Sequence, residues 1–372
     1  MTILRTLLAM LAGLCGLLLA APIIIAGLPL WLVSLLTRVI GRLLEPSAAS
    51  WRRIIEFDAI VGWKPKPLLT AYCLAEPAGD VFAIKTDAQG WRGRVSLAES
   101  DIVVFGDSFA FGYGVDEERC FSEGTNELRV KAIGAPGYNM VQELLWMQQM
   151  SSQLRDKLVV WFIYIGNDLY DNLRPNELHY RRPFVRQVPS QSAWEIVTSH
   201  ISLERWPYNP DRHIDEYQKM LGNTYSPTFI SQRAYAACEF LIAEGKKICT
   251  RAGAQLIILT IPDLFELTQQ GLERLSTYSP DPPSFDAELP NRNIRDACAK
   301  VGVPFVTAKT YLDVSDYSHG DRHWNEKGHR RIHQILSDLH HDYDLRRNNK
   351  EQGQKDAQEG EQKRSSSLVA TR

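Results

Sequence analysis

The chain has 372 residues, 44% of them hydrophobic, and a formal net charge of −2. That balance supplies a large core and excludes the basic field by which nucleic acid is bound. Six cysteines occur without a Cys-x-x-Cys spacing, and the five beyond Cys15 form an odd set, which excludes a complete disulfide framework and predicts buried thiols.

From Thr6 to Leu36 the chain runs 31 residues without a charge, more than the roughly 20 needed to cross a bilayer. Residues 1–42 are expected to be a membrane anchor with the lipid bilayer as partner, a single pass kinked at Pro22 and Pro29. A cleaved signal peptide and a re-entrant hairpin are the alternatives; against cleavage, the apolar run continues from Ile23 to Leu36. Arg38, Arg42, Arg52 and Arg53 outweigh Arg5, which by charge places the C-terminal side in the cytoplasm.

Residues 43–99 read as a connector and small subdomain. Gly62 to Pro67 is too proline-rich for regular structure, and Thr86 to Trp91 reads as a turn. Residues 100–342 then alternate strand-like and helix-like runs. The strands are Ile102 to Phe105, Val130 to Ile133, Leu158 to Ile165, Leu256 to Ile261 and Val303 to Val306. Between them apolar residues recur at helical spacing, as at Ile294, Ala297, Cys298 and Val301. Such alternation implies a parallel sheet covered by helices on both faces, with ligands at the carboxyl ends of the strands. An insertion, residues 171–233, interrupts it with many aromatic residues; a lid or binding insertion with one or two of them lining an acyl or sugar site is one reading, and most are expected to form a small core of their own. Ile332, Ile335, Leu336 and Leu339 mark the inner face of a last helix. Residues 343–372 are polar and charged, and are expected to form a disordered tail.

The chemistry gathers at the strand ends. Ile102 to Phe105 runs into Gly106-Asp107-Ser108, where a glycine turn and a capping aspartate would set a hydroxyl at the start of a helix. A serine hydroxyl needs a base to act as a nucleophile. His323 is the candidate, two residues beyond Asp321, which can hold the imidazole in one tautomer. His319 is a rival base and Asp316 an alternative acid. His329, His333, His340 and His341 read as helix-surface residues. His319, Asp321 and His323 together also leave open a metal-dependent hydrolysis.

Four blocks in order, around Ser108, around Gly134-Ala135-Pro136-Gly137, at Asn167-Asp168 and at Asp321-Arg322-His323, resemble the SGNH (GDSL-type) hydrolases, and in particular their membrane-anchored bacterial members. The resemblance covers about Asp101 to Leu339. It implies a flavodoxin-like three-layer α/β/α sandwich, with Ser108, Asp321 and His323 catalytic and no cofactor or metal. The oxyanion hole would be the backbone N–H of Ser108, the N–H of Gly137 and the amide of Asn167. Ala132 and Ile165 depart from the usual second and third blocks without removing a donor, and Asp168 is expected to bond its own turn.

The Asp-x-His spacing resembles members that handle acylated polysaccharides. An acylated small molecule or a glycan ester, O-acetyl above all, is therefore the expected substrate of a serine esterase. An O-acyltransferase and a non-catalytic glycan-binding protein are the alternatives. The resemblance places the anchor in a bacterial inner membrane and the domain outside the cytoplasm, opposite to the charge rule; the sequence leaves the side open.

Overall fold

The computed structural model describes residues 53–75, 81–123, 128–177, 180–188, 193–202, 210–319 and 321–369. The expected anchor, residues 1–42, lies outside them. Among the described residues no helix is long and apolar enough to cross a membrane.

Two antiparallel hairpins come first: β1 (Ile55–Asp58) with β2 (Gly62–Pro65), then β3 (Thr70–Leu74) with β4 (Val81–Lys85). Regular structure at Gly62–Pro65 overturns the proline argument. Pro65 ends its strand in a two-stranded ribbon, where a residue without an N–H forfeits no central ladder bond. The expected turn is present, with Gly90 N–H donating to Asp87 O at 3.1 Å. Ile54, Trp63, Phe82 and Trp91 are buried in the same core as the central sheet, so the subdomain is part of the globule.

The central sheet is built from β5 (Ile102–Gly106), β6 (Val130–Gly134), β7 (Leu158–Tyr164), β12 (Gln255–Ile261) and β13 (Phe305–Thr307). All neighbours are parallel, in the order β13-β12-β7-β5-β6. The five sheet strands therefore run 2-1-3-4-5 in chain order, the flavodoxin-like winding. Every residue of β5, β6 and β7 is buried, as expected of strands covered on both faces.

Successive residues alternate between two cores. Val103, Phe105, Trp161 and Ile163 pack with helices α2 (Met140–Gln149), α5 (Phe229–Ala252) and α7 (Leu289–Lys300). Ile102, Val104, Val160 and Phe162 pack with Ile332, Ile335 and Leu336 of α8 (Glu326–Val369). These are the three layers the alternation predicted.

The insertion departs from expectation. It holds the pairs β8 (Asn176–Glu177) with β9 (Tyr180–Arg181) and β10 (Phe184–Val188) with β11 (Ala193–Val197), and helix α4 (Pro210–Thr224). Tyr225 is buried in the main core, and Tyr180, Trp194 and Tyr217 pack against it. These aromatics therefore extend the main core. Helix α8 likewise continues to Val369, where the composition implied disorder. Residues 343–369 lack proline and are rich in Glu, Gln, Lys and Arg, all strong helix formers.

Candidate active site

The turn after β5 is tight for a steric reason. A Cβ on Gly134 of the neighbouring strand would sit 2.6 Å from Gly106 O and 2.7 Å from Asp107 O, so only glycine lets β6 lie this close. Asp107 caps the short helix α1 (Ser108–Phe111), its carboxylate accepting from Phe109 N–H at 2.9 Å. Ser108 thus stands at the first helical position above the sheet. Arg92, buried in the N-terminal subdomain, closes the other end of the turn. Its Nη1 donates to Gly112 O at 2.5 Å and Phe111 O at 3.3 Å, and its Nη2 to Val115 O at 3.0 Å.

Ser108 Oγ lies 2.7 Å from Nε2 of His323, and His323 Nδ1 lies 2.7 Å from Oδ1 of Asp321. With Nδ1–H donating to the carboxylate, Nε2 is free to accept the serine proton. The imidazole is held between aromatic rings, with centroids 4.9 Å from Phe109 and 4.8 Å from Tyr113. Burial alone lowers the imidazole pKa, but the Asp321 carboxylate overrides it and raises the group above its ordinary value. Burial likewise works to raise Asp321, and the imidazole beside it holds it below the usual carboxylate range. Asp107 is pushed up to about 6, chiefly by burial.

The other two expected donors stand at the ends of β6 and β7. Gly137 has a φ of 75°, in the left-handed region that favours glycine, and its carbonyl accepts from Arg182 Nη1 at 3.0 Å. Asn167 precedes helix α3 (Asp168–Asp171) and donates from Nδ2 to Asp171 Oδ2 at 3.3 Å. Asp168 bonds its own turn, accepting from Tyr164 N–H at 2.7 Å.

Several sequence readings change. His329 is buried, not on the surface. Its Nδ1 accepts from Phe121 N–H at 3.3 Å, its ring stacks on Phe121, and burial drives its pKa down to about 3. Asp316 forms ion pairs with Arg331 at 3.0 Å and Lys327 at 3.2 Å, and His319 is exposed, so the carboxylate and imidazole brought to Ser108 are those of Asp321 and His323. Among the described residues no group of three His, Cys, Asp or Glu side chains is placed to hold a metal ion.

Two arginines stand outside the expected site residues. Arg322, between Asp321 and His323, pairs with Asp263 at 3.1 Å and stacks on Tyr217 at 4.8 Å and Phe265 at 4.6 Å, pinning the histidine loop to the segment after β12 and to Tyr217 of the insertion. Arg182 joins Gly137 to Asp171 from inside the insertion. Position beside the histidine could have flagged Arg322; nothing local distinguishes Arg182 from its neighbour Arg181.

No family model matches this sequence, and no curated protein matches it. Among solved structures, the chain is similar to a GDSL-like lipase from Bacteroides thetaiotaomicron at 14% identity, over 65% of this chain and 88% of that one, with a TM-score of 0.34. An inhibitor-bound aryl esterase from M. smegmatis is similar at 10% identity over 64% and 97% of the two chains, with a TM-score of 0.37. A carbohydrate acetylesterase from Sinorhizobium meliloti is similar at 10% identity over 64% and 97%, with a TM-score of 0.33.

Proposed function

We propose that this chain is a serine esterase of the SGNH type that hydrolyses an O-acyl ester, O-acetyl on a glycan above all, through an acyl-enzyme. One observation carries the reading: a serine oxygen, an imidazole and a carboxylate in series, each link 2.7 Å long. Ser108 Oγ attacks the ester carbonyl as its proton passes to His323 Nε2. The tetrahedral oxyanion is held by the N–H groups of Ser108 and Gly137 and the amide of Asn167. On collapse, the sugar oxygen leaves with the proton from Nε2, and the acyl group stays on Ser108. Water then attacks, giving its proton to Nε2; the carboxylic acid departs and Ser108 recovers its hydrogen. No step calls for a cofactor.

The Asp321-x-His323 spacing is what supports a glycan ester over a lipid. Residues 1–42 would tether the domain to a membrane.

The test is hydrolysis of p-nitrophenyl acetate and of acetylated oligosaccharides by the full chain, set beside Ser108→Ala. Acetate release by the parent chain and background release by the variant are expected. Full activity in Ser108→Ala would overturn the nucleophile assignment. Acetyl transfer to an added oligosaccharide in place of acetate release would replace the hydrolase with an acyltransferase.

A further inference from the structure

Arg182 is fully buried, in a segment to which the sequence assigns no part of the site. One guanidinium serves two of the expected oxyanion donors. Its Nη1 donates to Gly137 O at 3.0 Å and to Asp171 Oδ2 at 3.3 Å, while its Nη2 sits 2.8 Å from Asp171 Oδ1. The same Asp171 Oδ2 accepts from the Asn167 side-chain nitrogen at 3.3 Å. Glu177 Oε2, 3.4 Å away, adds a second carboxylate, and Nε donates to Arg174 O at 3.3 Å.

Stability alone gives little reason for this arrangement. A buried ion pair is commonly no more stabilising than apolar residues of the same volume. Burial works against the Arg182 charge, and the carboxylates of Asp171, Glu177 and Asp168 outweigh it. What the fork and its carboxylate supply is direction. The two ends of the Asn167 amide have nearly the same shape, and its Oδ1 is buried with no hydrogen-bond partner. An ionised carboxylate only accepts, so Asp171 takes the nitrogen end and leaves the second N–H of that nitrogen for an oxyanion. The bond to Gly137 O in turn anchors the peptide plane that follows this left-handed residue, and so restricts the backbone from which its N–H projects.

We propose that Arg182 is a positioning residue for the oxyanion hole, orienting Asn167 through Asp171 and Gly137 through its carbonyl. This rests on the esterase reading above. Because Arg182 acts through Asn167 and Gly137, its removal should slow the chemical step and leave ground-state binding alone.

The experiment measures kcat and KM for p-nitrophenyl acetate, with the thermal transition, on the full chain and on Arg182→Met, Asp171→Asn, Asn167→Ala and Ser108→Ala. The doubles Arg182→Met/Asn167→Ala and Asp171→Asn/Asn167→Ala complete two cycles. Arg182→Met is expected to lower kcat roughly 10- to 100-fold, as a misplaced donor does, with KM within about twofold. On the Asn167→Ala background Asp171→Asn should cost much less than it does alone, and Arg182→Met should keep only the part that runs through Gly137, because residues acting as one unit are not additive. Asp171→Asn preserves shape, so it carries the same cycle if Arg182→Met does not fold. Parent-like kcat in a folded Arg182→Met or Asp171→Asn, or full multiplication of the effects with Asn167→Ala, would overturn the positioning role. Loss of activity in Ser108→Ala alone, with both network variants unaffected, would leave the esterase standing and remove only the inference. A parent chain without hydrolysis would remove both.

Discussion

His323 Nε2 meets Ser108 Oγ at 2.7 Å across 215 positions of sequence, and the Asp321 carboxylate on the far side of the ring raises the imidazole pKa above its ordinary value. The base works only when neutral, so kcat/KM should rise with pH through an inflection above about 6.5. Asp321→Asn removes the charge that raises it, and the inflection should move to lower pH while kcat falls by up to about 10⁴-fold. A pH–rate profile of both proteins checks this; an unmoved inflection would show that Asp321 does not act on His323.

Arg92 binds carbonyls of the nucleophile turn, and its Nε donates to Glu117 at 2.9 Å. Arg92→Met leaves those carbonyls and the largely buried Glu117 carboxylate without the charge that faces them. Losing one partner of a buried pair costs about 3–5 kcal/mol. Urea unfolding should show a fall of that size in unfolding free energy, with the transition still a single step.

At Gly134 the spacing of β5 and β6 is at stake. The Cβ of Gly134→Ala would meet two backbone oxygens below 3 Å, and backbone cannot swing aside as a side chain can. We expect a folded but destabilised protein, by about 1–3 kcal/mol, with kcat reduced more than KM is raised, because the strands part under Ser108. Steady-state kinetics and thermal melts on Gly134→Ala decide it.

His329 supplies a pH dependence of opposite origin to that of His323. Its folded pKa is about 3 against an ordinary 6.5. Between those values the unfolded chain binds a proton that the folded one does not, so stability is lost as pH falls, by about 1.4 kcal/mol per unit for this group. His329→Leu removes the dependence but strands the Phe121 N–H, at a cost of about 1–3 kcal/mol at pH 8. Over the roughly 2.5 units from 6.5 to pH 4 the parent loses about 3.4 kcal/mol, more than that initial gap, so the two stability curves should converge below pH 7 and cross before pH 4, measured by urea titration at each pH. A constant gap would mean that His329 takes up its proton at the same pH in the folded and unfolded chains.

Some of the site was legible in the residues. Apolar runs ending in Gly-Asp-Ser and Gly-Asn-Asp are local signals, written by strand burial and turn chemistry within a few positions. Those runs fall on β5 and β7 with ends within a residue of expectation. His329 was misread for the converse reason. Helical spacing says which face a residue occupies, and only the docking of Phe121 on that face turns an apparent surface histidine into a core one. Pro65 misled because a proline's cost depends on whether its strand has a second neighbour, which no local pattern records.

By itself the sequence determined the alternation of strand and helix, the parallel sheet that follows from it, and the few polar residues standing at strand ends, because periodicity and turn preference act over short distances. Only the tertiary structure decided which of several acids and histidines meet Ser108, and that a buried arginine in the insertion ties Gly137 to Asp171. Those outcomes depend on hydrogen bonds and charge pairs within about 3 Å between segments far apart in the chain, and such distances come into being only when the layers pack.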